Sequence, residues 1–365
     1  MTAHFSDGTK RDVTRIATYD TSSKEVATVD AGGLITCHTK GQAAITIRYL
    51  SHLESVHLTY VTSDDQFVWQ EPSELNEIDQ VVNNKLKLLQ YQPSPICNDS
   101  VFLRRVYLDL IGLLPGIEPA RTFLKDPSHD KRSGLVDKLL ESEQFARFQS
   151  LQMADLLHVN ANVLGDDRAQ LFADWIADAI KADRPCDQFA RELLTASGDS
   201  RTVGPANYFA AIGSTEELSE ATAQIFMGSR IKCAKCHNHP FENWTQNDYY
   251  RLGAVFHRVK RMATLINVKS AGEMTHPKSG KAMRPWGSDA VARPEGDMST
   301  ETIDRRAAFA TWLTGKDNPF FAHVAVNRIW SQLFGAGIVN PIDDFRSSNP
   351  PANVELIDLL AKEFR

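Results

Sequence analysis

The spacing of hydrophobic positions changes once along the chain, near residue 64. Upstream of that point apolar and polar residues alternate. In Ala44-Ile45-Thr46-Ile47-Arg48-Tyr49, Ile45 and Ile47 take one face, and Val26-Ala27-Thr28-Val29 is a second such run. Turn residues separate the runs, at Asp7-Gly8, Ala31-Gly32-Gly33 and Lys40-Gly41. Short strands broken by turns every ~8–12 residues predict a small all-β sandwich over residues 1–63. Residues 64–75 form a polar link containing Glu71-Pro72-Ser73.

Beyond the link the period becomes about 3.6. Leu75, Ile78, Val82, Leu86 and Leu89 recur at helical spacing, with Ser73 placed to cap the start. A second helix follows Asn98-Asp99 and ends near Gly112; within it Arg105 and Asp109 stand four apart, the spacing of a helical ion pair. Further periodic runs contain Leu135 to Leu140, Phe145 to Leu156, Leu171 to Ile180, and Phe189 to Leu194, and one spans about Glu216 to Met227. Residues 76–258 are therefore a mainly α-helical body, large enough to bury its own core. Over 259–302 Pro, Gly, Ser, Lys and Met crowd together, no period survives, and an irregular connection is predicted. Helical pattern returns over 303–365, through Trp312, from Ala322 to Phe334, and again from Val354.

Composition bounds the function without naming it. At 365 residues the chain exceeds one ordinary domain. Its 42% hydrophobic and 24% charged residues exclude wholesale disorder. A net charge of −6 argues against a general nucleic-acid binder. No apolar run of about 18 residues predicts a membrane span. The start of the chain carries no basic-then-apolar export signal, and both ends read as cut from a longer protein. Of the five cysteines, Cys37, Cys97 and Cys186 are scattered and only Cys233 and Cys236 are close, so no disulfide framework is predicted.

Cys233-Ala234-Lys235-Cys236-His237 is Cys-x-x-Cys-His, the attachment signature of c-type haem. Two thiols at that spacing can add to the two vinyl groups of the porphyrin, and the adjacent His237 is then held beneath the iron. A sixth ligand is not specified; His257, Met262, Met274, His276, Met283 and Met298 are candidates, as is an open position. A zinc site is the rival reading, with Cys233, Cys236, His239 and either His257 or Asp248 as ligands. His237 and His239 are two apart, so only a turn lets both face one metal. A Cys233–Cys236 disulfide is the third reading.

The run IKCAKCHNHPFENWTQNDYYRLGAVF resembles the planctomycete cytochrome-c-like domain of the surface-protein (PSCyt) type. So do IDQVVNNKLKLL, FLRRVYLDLIGLLPG, LVDKLLESEQFARF and DWIADAIKADRPCDQFARELL. From DRRAAFATWLTGKDNPFFAHVAVNRIW to the last residue the chain resembles the start of the planctomycete surface domain (PSD type). DGTKRDVT, VATVDAGGLIT and GQAAITIRY resemble part of a bacterial Ig-like (group 2) domain. The resemblance implies an exported, multidomain, surface-associated protein with haem on Cys233, Cys236 and His237. An unidentified redox partner, and contact with an extracellular polymer, are implied with it. His239, Tyr249 and Tyr250 match the family pattern without an assigned role. The alternative is a structural or polysaccharide-associated surface module with zinc or a disulfide at Cys233/Cys236.

Other residues have plainer readings. Arg104, Arg105 and Asp109 suit a half-buried ion pair between helices better than an anion site. Asn327, Arg328 and Trp330 suit helix packing. Asp343-Asp344 beside Pro341 suits loop capping better than a cation site. Trp244, Tyr249 and Tyr250 suit an aromatic core. No phosphate loop, dinucleotide fingerprint or serine-hydrolase elbow is present, and no carboxylate pair has the spacing that glycoside hydrolysis demands.

Overall fold

The structure is a computed structural model that describes residues 1–50, 52–62, 65–285 and 304–365. Met298 lies outside the described residues. Strands in antiparallel sheets are followed by a mainly helical body. No described helix is long and apolar enough to cross a membrane.

The strands are β1 (Thr2–His4), β2 (Lys10–Asp12), β3 (Thr18–Thr21), β4 (Ala27–Val29), β5 (Ile35–Cys37), β6 (Gly41–Tyr49) and β7 (His52–Tyr60). β6 is the centre of a three-stranded sheet, β3-β6-β7, while β1-β2 and β4-β5 are two-stranded ribbons. Ile45 pairs with Thr21 on one side and Val56 on the other. It is buried with Ala27, Ala43, Ala44 and Leu53, whereas Ile47 is only half-buried.

The helices are α1 (Glu77–Leu88), α2 (Asp99–Ile111), α3 (Ile117–Lys125), α4 (Lys131–Leu140), α5 (Glu143–Leu156), α6 (Ala161–Leu164), α7 (Asp166–Lys181), α8 (Cys186–Thr195), α9 (Asn207–Ala211), α10 (Thr215–Met227), α11 (Gln246–Phe256), α12 (Arg305–Leu313), α13 (Phe321–Phe334) and α14 (Val354–Phe364). α1 begins three residues later than its pattern suggested. Asn76, not Ser73, is its cap, because the Asn76 side chain accepts from the Asp79 N–H at 3.0 Å. Gly112 and Gly335 end α2 and α13 in the left-handed conformation that glycine adopts without strain. The stretch 259–302 opens with order that its composition concealed. β9 (Val259–Met262) and β10 (Leu265–Val268) pair antiparallel, and β10 also pairs with a two-residue strand, Gly198–Asp199. Arg104 and Arg105 are exposed, and no Arg105–Asp109 pair forms among the described residues.

The chain divides into two compact units that are drawn differently from the segments of the sequence. One gathers Met1–Ser94, Thr222–Tyr249 and Pro319–Arg365; the other gathers Pro95–Ala221 and Tyr250–Asn318. In the first, α1, α13 and α14 share a core of Ala322, Val326, Val339, Leu356 and Ile357, against which Ile78 and Val82 pack. The buried Asn327 amide holds the turn after α13, donating to the Val339 carbonyl and accepting from the Val339 N–H, both at 2.9 Å. Gly337 sits so close to this turn that a Cβ there would lie 2.2 Å from the Val339 oxygen.

In the second unit Phe172, Ile176, Leu193, Tyr208, Phe209, Phe256 and Phe309 are fully buried. Among them lies the side chain of Arg306, 2% exposed. Its guanidinium donates to the Ala196 and Thr195 carbonyls at 2.7 and 3.1 Å, where α8 leaves carbonyls without helical partners. Asp304 accepts from the same group at 2.8 Å, and the Phe209 ring lies 5.1 Å beneath it. Asp304 is a third exposed, so removing the guanidinium chiefly strands the buried carbonyls it serves, at a cost of about 1–3 kcal/mol. Arg306→Ala should lower the unfolding free energy of this unit by about that amount in urea titration. A loss below about 1 kcal/mol would show that these contacts are dispensable.

Candidate functional site around Cys233, Cys236 and His237

The segment that carries Cys-x-x-Cys-His begins where α10 ends. Gly228 adopts φ +59°, a left-handed geometry that stops the helix, and Ser229 donates back to the Ala223 carbonyl at 3.2 Å. The site tolerates nothing larger than glycine, since a Cβ on Gly228 would lie 2.6 Å from the Phe345 ring and 2.8 Å from Val324. A 3-10 turn, Lys232–Lys235, follows. Its period of three places residues i and i+3 above one another. Ile231 and Ala234 therefore turn inward and are buried, while Cys233 and Cys236 face outward and are exposed. All five cysteines are free thiols.

His237 is exposed, and its Nδ1 lies 2.7 Å from the Asn238 carbonyl oxygen. A carbonyl only accepts, so Nδ1 carries the proton and the Nε2 lone pair of the neutral ring is left open. His239 is set the other way. Its Nδ1 accepts from the Phe241 N–H at 3.1 Å, which puts the proton of the neutral ring on Nε2. The two histidines thus present opposite chemistry: His237 offers a metal-binding nitrogen, and His239 has spent its own on the loop. The His239 N–H donates to the Trp244 carbonyl at 2.7 Å and closes that loop. Asn238 and the Lys235 carbonyl tie it to Gln246 at the start of α11. Asp248 and Thr245 exchange hydrogen bonds as a capping box for the same helix, so Asp248 is committed there.

A second stretch of chain, 341–349, braces this segment. Phe345 donates to the Gly228 carbonyl at 2.8 Å. Asp343 accepts from Arg230 at 2.5 Å and from Gln224. Ser347 donates to Glu242 Oε1 at 2.9 Å, and Ser348 Oγ donates to the Phe241 carbonyl. Arg328 on α13 donates to the carbonyls of Ile225 and Gln224 near the end of α10. Burial pushes that guanidinium down to about 10, still charged at neutral pH. Neither Asp343 nor Arg328 reads as a ligand site; both are consumed by this brace.

The brace was invisible in sequence terms, and so was Glu242. Burial, only partly offset by the Ser347 N–H and by Arg346, raises its carboxyl to about 7. Burial also lowers the neighbouring His239, with Arg346 adding to the effect.

The remaining candidate ligands lie elsewhere in the chain. His257, Met262, Met274, His276 and Met283 all belong to the second compact unit. Met274 and Met283 pack there with Ala254 and Tyr250, and His276 Nδ1 accepts from the Lys278 and Ser279 N–H groups. Among the described residues no group of three or more His, Cys, Asp or Glu is placed to hold a metal ion. The zinc set Cys233, Cys236, His239 and His257 is therefore not brought together here as such a group. Tyr249 is buried, and Trp244 lies 6.2 Å from the Phe320 ring.

Helical fold and motif together define a domain class, and the family comparison gives it a place. Residues 77–261, half of the chain, match PSCyt2, protein of unknown function (DUF1549), and the chain belongs to that family. Residues 305–365 match PSD1, protein of unknown function (DUF1553). Both spans lie downstream of the β-strands. No curated protein and no solved structure matches the chain.

Glu242 gives the site a pH signature. Below about 4.5 the carboxyl is protonated folded and unfolded, and stability is unaffected. Between about 4.5 and about 7 the folded state retains a proton that the unfolded state has lost, so stability falls as pH rises. Glu242→Gln keeps the acceptor for Ser347 and removes the charge. It should flatten this slope and leave the variant about 2 kcal/mol more stable than the native chain at pH 8, by thermal or urea unfolding. Parallel pH profiles would show that the carboxyl is solvated.

Proposed function

We propose that this chain is part of an exported redox protein that carries haem c covalently at Cys233 and Cys236, with His237 as the proximal ligand. The observation that carries this reading is the His237 ring. Its Nδ1 proton is held by the Asn238 carbonyl, the outer contact that orients a ligating histidine and leaves Nε2 to the metal. The donor set fits the group. Two free, exposed thiols lie on one side of a short turn, next to a histidine in the ligating tautomer. The opposite tautomer of His239 favours haem over zinc, because zinc would have to break the His239–Phe241 bond.

Bound haem would supply one-electron redox chemistry. The chain's own part is positional. Buried Ala234 anchors the turn, so that both thiols stay presented. Asn238 fixes the imidazole, and the brace from 341–349 prevents the segment from peeling away. Export fits the reading, and electron transfer to a partner is the role it supports.

The test is expression with an export signal and haem-maturation machinery, read by intact mass and by the reduced-minus-oxidised visible spectrum. The expected result is a mass increased by one haem and a sharp c-type α-band. Cys233→Ser with Cys236→Ser should return the apo mass. His237→Ala should keep the haem mass while shifting the spectrum away from the native form. A colourless native protein at the apo mass would overturn the proposal.

A further inference from the structure

Within the first compact unit a cleft of about 550 Å³ opens among β6, β7, α1 and the stretches that flank α14. It shares no lining residue with the Cys-x-x-Cys-His segment. The volume falls in the ~300–1,000 Å³ range of small-molecule sites.

The chemistry of its walls is specific. Carboxamides converge from separate parts of the chain: Gln42 on β6, Asn84 on α1, and Asn340, Asn349 and Asn353 on the far side. Among the described residues, the side chains of Asn84 and Asn340 and the His57 ring have no hydrogen-bond partner. Gln42, Asn349 and Asn353 already donate to Thr59, the Asp344 carbonyl and the Val81 carbonyl, so it is Asn84 and Asn340 that each present a donor and an acceptor side by side in one plane. The only Lys, Arg, Asp or Glu on the described walls are Lys85 and Glu355, one of each sign. Burial pushes the Lys85 ammonium down and Glu355 pulls it back, so the two charges offset each other at the cleft. Leu88, Ile338 and Pro350 add apolar surface between the polar groups. The strands of the β wall are bonded to each other across Gln42↔Thr59, Ala43↔Leu58 and Ala44↔His57.

A ligand suited to such walls is uncharged, rich in groups that both donate and accept, and carries C–H faces. An anion would meet Glu355 and a cation Lys85, with no surplus charge to hold either. Vicinal hydroxyls match the paired donor and acceptor of a carboxamide, and a sugar ring supplies the apolar face. We propose that this cleft binds a neutral carbohydrate, with Asn84 and Asn340 as its main hydrogen-bonding groups. This is independent of whether haem is attached at Cys233 and Cys236.

The test is calorimetric titration of the whole chain with cellobiose and maltose as neutral probes. Digalacturonate serves as an anionic probe and acetyl-trialanine amide as a neutral peptide. The expected result is binding of at least one neutral disaccharide, stronger than either comparison probe. Asn84→Ala combined with Asn340→Ala should weaken it by about tenfold while circular dichroism stays native, since both residues are exposed. Ala352→Trp, which adds bulk to the cleft wall and leaves both asparagines in place, should weaken it too. Failure of both disaccharides to bind overturns the proposal. So does binding that both variants leave unchanged, or preference for the anion or the peptide.

Discussion

The contact on which the first unit depends is the brace between 341–349 and the chain from Gln224 to Glu242. Three kinds of interaction act together there. A backbone bond joins Phe345 to Gly228, an ion pair joins Asp343 to Arg230, and Ser347 and Ser348 reach Glu242 and Phe241. Gly228 is the pivot. It stops α10, it leaves room for the Phe345 ring, and its carbonyl receives the Phe345 N–H. None of these contacts is strong alone, since a single hydrogen bond or partly exposed ion pair is worth roughly 1 kcal/mol. Their effect comes from fixing one short segment at several points, so that the 3-10 turn keeps both thiols outward.

This arrangement explains why the two family matches belong together. The PSCyt2 span supplies the Cys-x-x-Cys-His segment and α1, and the PSD1 span supplies α13, α14 and the brace. α1 packs into a core made mostly by residues more than two hundred positions downstream. Neither span on its own holds the complete first unit.

Much of the architecture was legible from residue spacing. The change of period at the link, the helices ending at Met227 and Phe334, and the final helix from Val354 all follow from apolar periodicity and glycine stops. What was not legible has physical causes. The β9–β10 hairpin is only eight paired residues at the head of a stretch rich in Pro, Gly and Lys, too short for alternation to stand out. α11 hid behind the aromatic pair Tyr249-Tyr250, although the Thr245–Asp248 capping box that starts it was a readable signal. At the site, the motif gave Cys233, Cys236 and His237 at once. The opposing tautomers of His237 and His239 depend on where two carbonyl and amide groups happen to point, and no spacing rule encodes that. Glu242 was missed because its burial arises only in the folded chain, where its partner Ser347 comes from about a hundred residues away.

The same discontinuity sets an order of events. The Cys-x-x-Cys-His segment emerges in the chain long before the residues that brace it. A chain ended before residue 341 would therefore carry the whole PSCyt2 span and its Cys-x-x-Cys-His segment, yet lack the Phe345–Gly228, Asp343–Arg230 and Ser347–Glu242 contacts.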